Sequence, residues 1–185
     1  MAPLPPLASS SASIILVLGG ARSGKSRFAE SLFCELQGHR LYVATAQAGD
    51  QEMRERILEH QARRGAGWRT IEAPLDIATP IAEAGSEAVL VDCLTLWLSN
   101  LMAAEIDVGQ ATDGLCRILA KTNGPVVLVS NETGLGIVPD NALAREFRDH
   151  AGRLNQAVAA VADRVYFIAA GLPLTLKDTT KDSAA

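Results

Sequence analysis

Gly19, Gly20, Ala21, Arg22, Ser23, Gly24, Lys25 and Ser26 follow directly on five apolar, strand-favouring residues, so that positions 14–26 of this 185-residue chain read IILVLGGARSGKS. The spacing G-x-x-x-x-G-K-S, set between a buried strand and a helix, is that of a phosphate-binding loop. Its glycines let the backbone bend until successive N–H groups converge on an anion, and the positive end of the following helix adds to the attraction. Lys25 is then placed to reach the outer phosphates and Ser26 to hold Mg²⁺. These residues imply a site for a nucleoside triphosphate.

A second group surrounds His60. Arg56, Arg63 and Arg64 lie three or four residues from it in the charged stretch 50–64, DQEMRERILEHQARR, expected to be a helix with Met53 and Ile57 as a thin apolar stripe. Cationic neighbours lower an imidazole pKa and keep the ring neutral and nucleophilic, and guanidinium groups clamp phosphate oxygens. The same spacing suits a solvated histidine beside arginines in surface pairs, and spacing alone leans that way.

Asp92 closes the apolar run EAVLVD at 87–92, where a carboxylate either holds the Mg²⁺ shell or caps the next helix. Thr45 ends the run RLYVATA at 40–46, and Asn131 with Glu132 follows GPVVLVS at 124–130. Open parallel sheets bind ligands beyond the carboxyl ends of their strands, so the Thr45 hydroxyl is expected to face the crevice. Asn131 and Glu132 fit substrate handling, and equally fit a strand end stabilising the turn through Gly134 and Gly136.

The elements that must position these residues alternate. Helices are expected at 25–37, 75–84, 94–104, 108–121 and 139–162, and strands at 14–18, 40–46, 68–72, 87–92, 124–130 and 164–169. In the longest helix Leu143, Phe147, Ala151, Leu154, Val158 and Val161 form a core-facing stripe, while His150, like His39 in its turn, reads as solvated. Residues 94–104, LTLWLSNLMAA, are apolar around the whole circumference, which requires burial or a subunit contact. Short apolar strands separated by helices predict an α/β P-loop nucleotide-binding fold of the RecA-like kind, a mostly parallel sheet with helices on both faces.

Composition excludes other classes. The net charge of −4, with no basic block, argues against a nucleic-acid partner. Cys34, Cys93 and Cys116 are odd in number and sit in apolar segments, as buried thiols of a reducing compartment do. No apolar run approaches the length of a membrane span, and residues 1–13 lack the form of a secretion signal, so a cytoplasmic protein is expected. Residues 1–13 read as a disordered lead-in, 14–177 as one domain and 178–185 as a flexible tail.

The segments GGARSGKSRFAE, YVATAQ, EMRERILEHQARRGAGWRTIEAP, VDCLTLWLSNL and SNETGLGIVPDNALAREFRDHAGRLNQAVAAVAD, in this order, resemble the bifunctional adenosylcobinamide kinase/adenosylcobinamide-phosphate guanylyltransferase family from about residue 14 to about residue 177. The resemblance implies two reactions of adenosylcobalamin synthesis. A nucleoside triphosphate, ATP or GTP, phosphorylates adenosylcobinamide; GTP then guanylylates an enzyme histidine, and adenosylcobinamide phosphate takes up the GMP. Matching the family's R-I-x-x-H segment to Arg56, Ile57, Leu58, Glu59 and His60 makes His60 the nucleophile and reverses the reading from spacing. The resemblance likewise implies nucleotide contacts from the loop, from Ala44, Thr45 and Ala46, from Gln61, Ala62, Arg63 and Arg64, and from Glu72 and Asp92, together with a homotrimer. Phe28 and Glu59 stand where some relatives carry histidine, which leaves His60 without a neighbouring rival. A kinase-only enzyme and a nucleotide-switched binding protein remain the alternatives, the second lacking any N-K-x-D segment to read guanine.

Overall fold

Strand β1 (Ile14–Gly19) is buried at all six positions, so both of its faces require cover. In the computed structural model, which describes residues 13–36, 38–47, 51 and 67–179, that cover comes from two helical layers. Strands β2 (Arg40–Ala44), β3 (Trp68–Glu72), β4 (Ala88–Asp92), β5 (Val126–Asn131), β6 (Arg164–Ala169) and β7 (Leu172–Asp178) join β1 in one sheet of order β3-β2-β4-β5-β1-β6-β7. All neighbours are parallel except β6 and β7. The pleat sorts β1 by parity: Leu16 and Leu18 pack in one core, Ile15 and Val17 in the other.

The larger core is closed by α2 (Ala78–Glu83), α3 (Leu94–Ala103), α4 (Val108–Leu119) and α5 (Ala142–Val161), the smaller by α1 (Lys25–Ser31). Capping fixes where several of these begin. Asp107 accepts from the Gln110 N–H and Asn141 from the Ala144 N–H, so α4 and α5 start one residue later. The Trp97 indole donates to the Leu75 carbonyl at 2.7 Å and holds that residue outside α2, which therefore starts later than expected.

The structure corrects or decides several further expectations. Helix α1 ends at Ser31 because the chain tightens into i→i+3 bonds that turn Leu32, Phe33 and Leu36 into the core. The apolar circumference of α3 is met by burial, the first of the two outcomes expected for it: Leu94, Trp97, Leu98 and Leu101 are buried. Leu143 is 67% exposed, because the first turn of α5 lies outside the packed layer and its stripe is buried at Ala151, Leu154 and Val158, with Phe147 and Val161 partly so. Of the three cysteines, all free thiols, only Cys93 is buried; Cys34 is exposed in the turns after α1. Finally, residues 177 and 178 belong to β7, whose tight turn places Ala170 at φ 51° and Gly171 at φ 79°. The Lys177 ammonium donates to the last carbonyls of α5, Ala159 and Ala160, both at 3.0 Å, and Ser13 is likewise held, its carbonyl accepting from Val126.

Candidate nucleotide site

Parallel register brings the candidate residues to one sheet edge. Glu72 pairs with Ala44, Ala44 with Asp92, Asp92 with Val129, and Asn131 with Gly19, so the carboxyl ends of β3, β2, β4, β5 and β1 form a continuous row. Residues 20–24 rise from that row between β1 and α1, which opens with Lys25 and Ser26.

Backbone geometry shapes the loop. A side chain at Gly19 would stand 2.6 Å from both the Ile168 carbonyl and the Ser23 hydroxyl. Gly24 has φ 96°, and a Cβ there would lie 3.3 Å from the Gly171 Cα. The Ser23 N–H donates to the Gly20 carbonyl at 3.3 Å, the Phe28 N–H to Gly24 at 3.0 Å, and the Gly171 N–H to the Ser23 carbonyl at 2.8 Å. The β6–β7 turn therefore buttresses the loop from outside. Sequence reasoning missed this support, because Ala170-Gly171 is not one of the Asn-Gly, Asp-Gly or Gly-Gly pairs that mark a two-residue hairpin. Phe28 packs its edge against Tyr166, ring centroids 5.2 Å apart, which fixes the first turn of α1 on the smaller core.

Charge gathers beside the loop. The Lys25 ammonium donates to the Gly20 carbonyl at 3.2 Å, which keeps the cation within the loop's arc. Burial lowers its pKa, and the neighbouring Cys93 and Asp92 charges oppose that shift. The same three groups set Cys93: burial first and Asp92 second push its thiol up to about 11, against Lys25 and local N–H groups. Asp92 accepts from the Tyr42 hydroxyl at 2.9 Å, an anchor that sequence reasoning did not anticipate.

Thr45 departs from expectation. Its hydroxyl is fully buried, donates to the Cys93 carbonyl and accepts from the Cys93 N–H, both at 2.8 Å, while its own carbonyl accepts from Asn100 at 2.8 Å. It braces the β4–α3 junction behind Asp92 and does not face the crevice. A partner 48 residues away turned it inward, which no local pattern reveals.

The end of β5 is clamped from three sides. The Asn131 N–H donates to the Thr95 hydroxyl at 2.7 Å, its carbonyl accepts from Asn155 at 3.2 Å, and the Glu132 N–H donates to the Gly19 carbonyl at 3.1 Å. The Glu132 carboxylate turns back to accept from the Gly134 N–H. Ala46 is half-buried beyond β2 and Glu72 is exposed. His60 with Gln61, Ala62, Arg63 and Arg64, and the helix expected over 50–64 apart from residue 51, lie outside the described residues.

A glycine loop, a cation, a strand-end carboxylate and a parallel sheet define a P-loop nucleotide-binding protein of RecA-like fold. Solved structures agree on the fold: the flagellar accessory protein FlaH from Methanocaldococcus jannaschii matches with TM-score 0.52 at 16% identity, covering 92% of this chain and 80% of that one. A type III secretion system ATPase from pathogenic bacteria matches with TM-score 0.58 at 13% identity, covering 93% and 59%. More specifically, residues 15–176 match the model for cobinamide kinase / cobinamide phosphate guanyltransferase, and the chain belongs to that family of enzymes. It is similar to the bifunctional adenosylcobalamin biosynthesis protein CobP of Pseudomonas aeruginosa, 54% identical over 88% of this chain and 96% of that protein. It is also similar to the CobU proteins of Salmonella typhimurium, 44% identical, and Escherichia coli, 39% identical, each over 89% of this chain and 99% of theirs.

Proposed function

We propose that the protein carries out both reactions on the adenosylated corrinoid, as an enzyme of adenosylcobalamin synthesis. ATP or GTP passes its terminal phosphoryl group to adenosylcobinamide; GTP then guanylylates His60 with loss of pyrophosphate, and adenosylcobinamide phosphate receives the GMP. The phosphoramidate keeps the transfer potential of the nucleotide while pyrophosphate departs. Lys25 and the loop amides bind and orient the phosphates, and Arg22, Arg63 and Arg64 share the charge that develops on the equatorial oxygens. The observation that carries this reading is the family match across residues 15–176, in a chain whose loop and Asp92 share one sheet edge.

The donor set suits Mg²⁺, which takes one or two carboxylates and otherwise phosphates and water. Ser26 supplies a hydroxyl and Asp92 a carboxylate anchored by Tyr42 beside Lys25, and among the described residues no cluster of three or more histidine, cysteine or acidic residues forms a cage for a metal. Bound there, the ion would neutralise phosphate charge as the transferred group moves. Ala44, Ala46 and Glu72 are kept as nucleotide contacts, while Thr45, whose hydroxyl, N–H and carbonyl are all bonded within the chain, serves by holding the strand end that carries Asp92. Among the described residues no helix is long and apolar enough to cross a membrane. We place the enzyme in the cytoplasm as a homotrimer, for which the exposed stripe Leu172, Leu174 and Leu176 on edge strand β7 offers an apolar surface.

The test separates the two half-reactions. His60→Ala should abolish labelling of the protein by GTP carrying a radioactive α-phosphate while adenosylcobinamide phosphorylation stays within about threefold. Lys25→Ala should reduce both by about a hundredfold or more. Equal loss of both activities in a folded His60→Ala would refute the assignment.

A further inference from the structure

Glu132 belongs to the same sheet edge, yet the reaction scheme above gives it no task. It leaves β5 beside the first glycine of the loop, since Asn131 is in register with Gly19 and the Glu132 N–H is bonded to the Gly19 carbonyl. Its carboxylate is aimed: one oxygen accepts from the Gly134 N–H, and a Cβ on Gly134 would stand 2.9 Å from that oxygen. The other oxygen has no hydrogen bond, and the carboxylate no ion pair, among the described residues. Asp92, by contrast, is engaged by Tyr42 and lies beside the Lys25 charge. The strand end that carries Glu132 is held by Thr95 and Asn155, the latter a polar residue between Leu154 and Val158 in the core stripe of α5. The Asn155 amide nitrogen makes that bond while its Oδ1 is buried without a partner, so the clamp on the strand end is held at the cost of a desolvated oxygen.

We infer that Glu132 is the general base of the phosphoryl-transfer step, an inference that rests on the function proposed above. The hydroxyl oxygen of the corrinoid's aminopropanol arm attacks the terminal phosphorus. The O–H bond breaks and its proton passes to the unengaged Glu132 oxygen, the new O–P bond forms, and the bond from that phosphorus to the bridging oxygen breaks. The nucleoside diphosphate leaves with the electron pair, and Glu132 returns the proton to solvent. Guanylylation needs no such acceptor, because its nucleophile is a neutral imidazole nitrogen.

Glu132→Gln isolates the claim. Its carbonyl oxygen still accepts from Gly134, so the turn persists and only the capacity to take a proton is removed. The kcat for adenosylcobinamide phosphorylation should fall about a hundredfold or more, with nucleotide KM and the rate of GMP labelling from GTP within about twofold of wild type. Gly134→Ala, which displaces the carboxylate without deleting it, should lose an intermediate share of the same kcat. The inference is overturned if Glu132→Gln keeps kinase kcat within about threefold, or loses phosphorylation and GMP labelling in equal proportion. A wild-type chain that fails to phosphorylate adenosylcobinamide would instead remove the functional reading, and this inference with it.

Discussion

Two glycine-containing segments leave adjacent parallel strands at the same level, and they behave differently. After β1, residues 20–24 curl at once into α1, buttressed by Gly171 and spanned by the Lys25 ammonium. After β5, residues 132–141 run outward before α5 begins, with Leu135, Ile137 and Val138 between 61 and 97% exposed. The first presents main-chain groups and the cations Arg22 and Lys25; the second presents the carboxylates Glu132 and Asp140 and apolar side chains. A phosphate tail is common to every nucleotide and is met by backbone, whereas an acceptor must be selected by side chains.

That contrast can be broken at three points. Gly24→Ala attacks the first segment where φ is 96° and the Gly171 backbone is 3.3 Å away. Left-handed backbone strain at a non-glycine costs about 1–2 kcal/mol, and the loop must shift as well, so nucleotide affinity measured by calorimetry should fall at least about tenfold. Unchanged affinity would mean that the cradle is not set by its backbone. Tyr42→Phe removes the hydroxyl that anchors Asp92, a bond to a charged group worth about 1.5–3 kcal/mol. The Mg²⁺ concentration for half-maximal activity should rise several-fold while KM for nucleotide at saturating metal holds; an unaltered metal titration would detach Asp92 from the ion. Ile137→Ser, at a side chain 97% exposed, should leave both the melting temperature and nucleotide affinity in place, within about 0.5 kcal/mol. A marked loss of nucleotide binding there would erase the division between the two segments.

The legibility of this chain followed the range of the interactions. The phosphate loop is local, eight consecutive residues behind an apolar strand, and its setting could be read directly. Asp92 and Asn131 were legible as strand ends, and the register aligned them with the loop. Thr45 was not, because its hydroxyl is claimed by Cys93 across the β2–β4 gap. Strand β7 was hidden because Pro173 interrupts LPLTLK and demotes a run whose leucines otherwise alternate. The role proposed for His60 came from resemblance: histidine and arginine three or four residues apart describe a surface as well as a site, and spacing cannot tell them apart.

The central claim is that one imidazole accepts GMP from a nucleotide whose phosphates lie in the glycine cradle. Incubating the protein with GTP and Mg²⁺, then mapping the covalent adduct by peptide mass spectrometry under conditions that preserve phosphoramidates, tests it most directly. The account predicts GMP on the peptide containing His60 and its release as adenosylcobinamide-GDP when adenosylcobinamide phosphate is added. GMP on another residue, or productive turnover with no adduct at all, would contradict it.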